Sequence, residues 1–471
     1  MALLTSTLAL DITMNSILIK NGLLVLENET LEADLLIENE KITQIGKNLK
    51  NSANKIIDAK GKIVFPGGID AHTHMDLPTG NFSASDSFES GTKAALWGGT
   101  TTIIDFANQK KGHTLREAFD HWQNLAKDKS YCDYAFHVSV TDVNDRTLEE
   151  IDEMFKEGVT SFKTFMAYAA MKVTDSDLEK IMNKVKEGAG IVTLHAEIGS
   201  IIEERTSKLV ADGKLEASNH PLSHPEEAEV LAVKNFIKLV EKTNCPGYIV
   251  HTSTPLSVEE AKNKTHLPLW YETCPQYLER DESLYHGPFE IAAKAVMSPP
   301  LRRKDAQEPL WNQLLENKIH VVATDHCPFT IEQRKRGKDN FTLIPNGGPG
   351  VEDRVELIYN GAVVQRKMSL TQFSKINATN AAKLFGLYPR KGVLKVGSDA
   401  DIFILDPQKK WKRTVKEQHM NCDYNLYEGL EGQGKIETVI IRGEIAIEDK
   451  KFHLTKAKGQ YLRRTTPITK L

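Results

Sequence analysis

No apolar run in the sequence approaches the roughly 20 residues that a membrane-spanning helix needs, so no membrane partner is expected. The stretch from Ala2 to Ile12 is mildly apolar, but it has neither a basic start nor a small-residue cleavage site, and it is not read as a signal peptide. Long blocks of one charge sign are missing too. The 60 Lys and Arg residues stand against 64 Asp and Glu, and without a clustered basic face nucleic acid is not an expected partner. Cysteine is scarce. The five (Cys132, Cys245, Cys274, Cys327 and Cys422) are scattered, odd in number and without paired spacing, which argues against a disulfide framework and for reduced thiols in a cytoplasmic setting.

What is present is length and pattern. A chain of 471 residues can bury a barrel of roughly 250 residues with a further domain attached. Residues 1–13 look like an extension with no role in the fold. Residues 14–65 read as short strands (16–19, 23–26, 33–38, 41–45 and 56–57) separated by turn signals at Asn21-Gly22 and Lys60-Gly61. From Ile69 the pattern becomes strand, loop, helix, strand. The apolar strand candidates are 69–74, 101–106, 134–140, 161–166, 191–195, 248–251, 269–273 and 321–325. Thr114-Leu115-Arg116-Glu117 is a capping-box start for a helix through Leu125, and residues 175–186 and 225–240 carry apolar residues at helical spacing. Eight strands with helices between them imply right-handed crossovers and a closed parallel barrel over residues 66–385. An open doubly wound sheet is the structural rival, but no glycine-rich phosphate loop follows the first strand. Strand patterns resume at 392–394, 401–405, 438–441 and 444–447, with Arg442-Gly443 as a hairpin turn. The expected fold is therefore a TIM-like (β/α)8 barrel inserted into a small β-sandwich made by residues 14–65 and 386–458. A tail, 459–471, is expected to be extended, as a solvated or subunit-crossing arm.

The chemistry lies at strand ends. His72 and His74 alternate on one strand and share a face, which makes half of a divalent-metal site. Lys163, His195, His251 and Asp325 fall at the ends of later strands, the face where barrel enzymes keep their reactive groups. Six ligand-type side chains at one end argue for a metal site over coincidence. Lys163 is the odd member, because an ammonium has donors and no acceptor. It is either the salt-bridge partner of a strand-end carboxylate or a lysine that reacts with carbon dioxide to form an anionic carbamate able to bridge two cations. By residue type alone Tyr168 is a packing aromatic at the barrel rim, and Ser298 and Asn346 are turn residues.

The stretches Pro66 to His74, Ser161 to Tyr168, Leu194 to Glu197, Val250 to Ser253, Glu272 to Tyr277, Met297 to Arg302, Thr324 to Phe329, Leu384 to Arg390 and Gly397 to Asp401 occur in this order. Together they resemble the dihydropyrimidinase/hydantoinase branch of the cyclic amidohydrolases, over nearly the whole chain from about Met14. The resemblance implies hydrolysis of the ring amide of 5,6-dihydropyrimidines or hydantoins to N-carbamoyl amino acids. It implies two zinc ions per subunit, one held by His72, His74 and Asp325, the other by His195 and His251. Lys163, as N6-carboxylysine, and a hydroxide would bridge them. Asp325 would carry the proton to the leaving nitrogen, Tyr168 would face the developing oxyanion, and the main chain at Ser298 and Asn346 would hold the imide edge. A small cyclic ureide or imide is then the partner, and the assembly a homotetramer or homodimer.

Allantoinases and dihydroorotases are rivals within the superfamily. Dihydroorotases usually place an arginine two residues after the second histidine to grip a carboxylate, and here that position is Asp76. A metal-free assembly protein like the collapsin response mediator proteins shares the fold but lacks several ligands, whereas this chain has all six. Departures from the branch occur at Pro78-Thr79-Gly80, Ile198 and Ala169-Ala170-Met171, on loops expected to shape the pocket for the ring substituent. Asp105, Glu197, His326 and Cys327 are expected to support or pack against the site.

Overall fold

The structure is a computed structural model describing residues 16–50 and 53–471. The expected N-terminal extension, and the start of patterned sequence at Met14, lie outside the described residues. The barrel strands are β1 (Gly68–Thr73), β2 (Thr100–Asn108), β3 (Asp133–Ser139), β4 (Ser161–Phe165), β5 (Ile191–His195), β6 (Gly247–Ile249), β7 (Leu269–Thr273) and β8 (Val321–Val322). They are hydrogen-bonded as parallel neighbours in chain order. Their near-continuous burial is what a sheet covered on both faces requires. The ring closes between β8 and β1 through a short seam. His74 N–H donates to His326 O at 2.9 Å, and Asp70 accepts Thr324 N–H at 3.2 Å and Thr324 Oγ1–H at 2.7 Å.

The helices form where their signals stand. Thr114 caps the helix Leu115–Ala126 in a reciprocal capping box with Glu117. Pro225 precedes Glu226–Thr243, whose buried residues Ala228, Ala232, Val233, Phe236, Ile237 and Val240 repeat at three- and four-residue steps.

Outside the barrel, strands from both ends of the chain share one nine-stranded mixed sheet, so the barrel is inserted between its halves as expected. The joint is the antiparallel pairing of Ile63–Pro66 with Ile402–Lys412. Two local expectations are corrected. Asn21-Gly22 is not a turn but a bulge inside one strand, Ser16–Val25. Asn21 takes a left-handed φ of 60° with its N–H on Asp34, and a Cβ at Gly22 would lie 2.7 Å from Val64 Cγ2. Residues 392–394 form no strand, because Gly392 turns at φ 77° and its carbonyl accepts Thr379 Oγ1–H instead of joining a ladder. The hairpin at Arg442-Gly443 is present, both residues having positive φ.

The tail is not a free arm. Tyr134 N–H donates to Gln460 O, Leu462 N–H to Tyr134 O, and Arg464 reaches Ser161 Oγ at 2.8 Å and the Phe136 carbonyl. These partners lie at or near the starts of β3 and β4, so the tail runs beneath the barrel mouth opposite the strand ends. Leu462 joins Phe385, Ala381 and Tyr248 in one core cluster there. Burial of its apolar residues is what draws the tail in.

Candidate active site

At the opposite mouth the strand ends bring the expected side chains together. His72 Nε2 lies 3.1 Å and His74 Nε2 3.0 Å from the same oxygen, Asp325 Oδ1. His195 Nδ1 faces His251 Nε2 at 2.9 Å. Candidate ligand atoms of His72, His251 and Asp325 all lie within 4.8 Å of one another. Lys163, 1 % exposed, projects from β4 with its Nζ 4.9 Å from the Phe106 ring centre and 5.2 Å from that of Phe165.

Backbone conformation aims several of these groups. His251 and Asp325 stand just beyond β6 and β8, strands shorter than the sequence suggests, and both adopt left-handed φ values of 39° and 54°. Tyr168 does so as well, at 65°, with its carbonyl accepting the N–H groups of Met171 and Lys172. Such angles cost a non-glycine residue about 1–3 kcal/mol and persist where surroundings enforce them, commonly at functional sites.

Burial disfavours the charged forms of His74, His195 and His251, lowering the pKa of each, and His72 is the exception. Burial would lower the pKa of His72, but the charges of Asp325 and Glu272 raise it to about 9. Asp325 is pushed up by burial, yet His72 and His74 hold it well below the usual carboxylate range. Burial brings Lys163 down to about 7, against the pull of Asp325 and Glu272.

The donor set suits divalent cations. His72 Nδ1 faces the carboxylate of Glu272 at 2.8 Å and donates its proton there, so Nε2 is the ring nitrogen turned towards Asp325, where a cation can take the place of its proton. His195 Nε2 faces Glu197 at 2.9 Å, which leaves a lone pair on Nδ1 pointing at His251. Lone pairs aimed at lone pairs repel unless a proton or cation lies between them. Three or four nitrogen and oxygen donors per ion is the pattern of zinc sites.

The residues expected on the substrate side also meet. Ser298 Oγ–H donates to Asn346 Oδ1 at 3.3 Å, and the Tyr168 hydroxyl interacts with Ser298, its pKa raised by burial. Beside Asn346, Gly347 has φ 144°, and a Cβ there would lie 2.3 Å from Cys327 O, so the loop can press against the end of β8 only with glycine at that point. Asp76 is engaged structurally, accepting Phe88 N–H at 2.8 Å. His326 sits in packing, between Asp86 at 3.0 Å and the N–H groups of Gly350 and Val351.

Two buried carboxylates support the site, Asp105 as expected and Glu272, to which the sequence reading gave no role. Asp105, raised to about 7 by burial, accepts Thr73 Oγ1–H and Met75 N–H and so pins the chain on both sides of His74. Glu272 accepts from His72, from His251 N–H at 2.9 Å and from Tyr248 OH at 2.9 Å. A signal existed for it: a lone glutamate in the apolar run Leu269–Thr273 has to find donors once buried.

A profile of the amidohydrolase family matches residues 63–446, a span that includes every one of these residues. The chain belongs to the amidohydrolase family. Among amidohydrolases it is 44% identical over 453 residues to a D-hydantoinase of Geobacillus stearothermophilus, covering 95% of this chain and 96% of that one. It is 40% identical to a D-hydantoinase of Streptomyces coelicolor, covering 95% and 98%. The solved dihydropyrimidinase of Brevibacillus agri superposes with a TM-score of 0.94 at 40% identity, over 96% of this chain and 99% of that one. An L-hydantoinase of Arthrobacter aurescens is more distant, with a TM-score of 0.85 at 28% identity over 94% and 99%. Among the described residues no helix is long and apolar enough to cross a membrane.

Proposed function

We propose that this amidohydrolase opens 5,6-dihydropyrimidines or hydantoins at the ring amide, releasing N-carbamoyl amino acids. The observation that carries the reading is the convergence of four imidazoles, Asp325 and buried Lys163 at one barrel mouth, with ring nitrogens facing inward. The names of the relatives support the substrate class.

In this reading His72, His74 and Asp325 would hold one zinc ion and His195 and His251 the other. Lys163 would help hold both once its neutral amine adds to carbon dioxide: an N–C bond forms, one C=O π bond becomes a carboxylate, and the nitrogen releases a proton to water. The pair of cations would lower the pKa of bound water from 15.7 towards about 7 and so supply the nucleophile at neutral pH. Asp325, ionised at neutral pH, accepts the proton of the attacking water and returns it to the departing ring nitrogen. Tyr168 keeps its hydroxyl protonated and donates to the carbonyl oxygen as negative charge develops there, a contact worth roughly 2.7–4 kcal/mol of barrier. The main chain at Ser298 and Asn346 receives the imide edge, whose alternating acceptor and donor atoms suit backbone groups. The departures from the branch, Pro78-Thr79-Gly80, Ala169-Ala170-Met171 and Ile198, then select the ring substituent. The enzyme works in the cytoplasm as a homotetramer or homodimer.

The test is a panel of dihydrouracil, dihydrothymine, substituted hydantoins, allantoin and dihydroorotate, assayed after loading with zinc and bicarbonate. Ring opening of the first three kinds is expected. Turnover confined to allantoin or dihydroorotate would move the assignment to those rivals, and fewer than one zinc per chain without turnover would favour the assembly-protein reading.

A further inference from the structure

Two of the buried supports each serve one candidate ligand. Asp105 braces the chain around His74, and Glu197, shared with His224 at 3.0 Å, faces His195. Glu272, on β7 and fully buried, touches both halves of the site. Its Oε1 takes His72 Nδ1–H at 2.8 Å and His251 N–H at 2.9 Å, while Oε2 takes the Tyr248 hydroxyl.

We propose that Glu272 is a positioning residue that couples the two cation positions. The inference rests on the two-cation reading above and deepens it. One contact fixes the His72 tautomer and aims Nε2 at the first position. The other holds the main chain of His251 in its left-handed turn, and with it the ring that serves the second. Charge adds to geometry. Two dications bring four positive charges, against which Asp325 and the carbamate supply two negative ones. Glu272 places a third one hydrogen bond away, where full burial leaves it little screened. A support shared in this way makes the two cations bind and leave together.

The full-length protein, Glu272→Ala and Glu272→Gln are loaded with zinc and bicarbonate and titrated with a chelator. Zinc per chain is read by atomic emission and the folded fraction by circular dichroism in the same samples. Glu272→Ala is expected to lose both zinc ions in one step, at a chelator concentration 10–100-fold below that needed for the parent. Glu272→Gln keeps the acceptor oxygen without the charge and should fall between. A folded Glu272→Ala that retains zinc like the parent, or that loses only one of the two ions, overturns the inference. If Glu272→Ala does not fold, Glu272→Gln decides it, and retention equal to the parent is the refuting result. A parent that takes up no zinc removes the two-cation reading and this inference with it. A parent holding two beside unaffected variants removes the inference alone.

Discussion

Replacing Lys391 with methionine should destabilise the protein by roughly 3–5 kcal/mol at neutral pH, the usual consequence of removing one partner from a buried ion pair. The lysine is 1 % exposed, with its Nζ 2.5 Å from Asp133, 2.7 Å from Asp401 and 3.0 Å from Asp399. Methionine keeps most of the apolar stem and removes the ammonium with its charge and its donated hydrogen bonds. Asp133 would still have Arg442 at 3.2 Å, and Asp399 would still have Lys41 and Arg390 at 2.5 and 2.9 Å. Asp401 would be left with the Thr101 hydroxyl and Arg442 N–H alone. Burial already raises its pKa, and losing Lys391 raises it further. A carboxyl raised in the folded state contributes most below its unfolded value of about 3.9, and the contribution disappears as pH climbs through the folded value. The deficit should therefore be smaller at pH 5 than at pH 8. Urea midpoints at the two pH values measure it. A deficit under about 1 kcal/mol, no more than a surface pair is worth, or one that grows towards acid pH, would refute the reasoning. The cluster lies at the far end of the barrel from His72, so kcat/KM of the folded variant should match the parent.

Three shorter predictions accompany it. Lys163→Ala should lose both bound zinc and turnover, measured by atomic emission and hydantoin hydrolysis, and a variant retaining both would contradict the carbamate. Asp325→Asn should lower kcat by roughly 10²–10⁴-fold, the range for a displaced general base; a loss under about tenfold, 1.4 kcal/mol, would remove Asp325 from the proton transfer. Arg464→Ala gives up charged hydrogen bonds to Ser161 and Phe136 worth about 1.5–3 kcal/mol each, so the thermal midpoint should fall, and an unchanged midpoint would mean the tail does not seal its own barrel.

Legibility in the sequence followed the strength of local pattern. All eight barrel strands were readable because strands covered on both faces appear as continuous apolar runs. His72 and His74 announce themselves by spacing, and the other candidate ligands by their place at strand ends. Strand length was less readable. The runs at 248–251 and 321–325 stop pairing early because His251 and Asp325 turn left-handed to enter the site, a choice no propensity encodes. Asn21-Gly22 has turn residues in a continuous strand, and only the neighbouring Val64 makes clear why glycine is required there. Asp105 was expected near the site, but the bonds it makes were not readable, and Glu272 had no role at all, because a solitary buried carboxylate says only that it needs donors, never which. The tail illustrates the same limit, since its polar residues are satisfied by barrel groups remote in sequence.

The joint between the two halves of the outer sheet dictates an order of events during synthesis. Ile63–Pro66 lies beside Ser16–Val25 on one side, but its other neighbour, Ile402–Lys412, leaves the ribosome only after the entire barrel has been translated. For that interval the nascent protein carries an open strand edge, the kind of surface that recruits unwanted pairing. Fragments ending before residue 402 should consequently be prone to clump, however sound the barrel they contain.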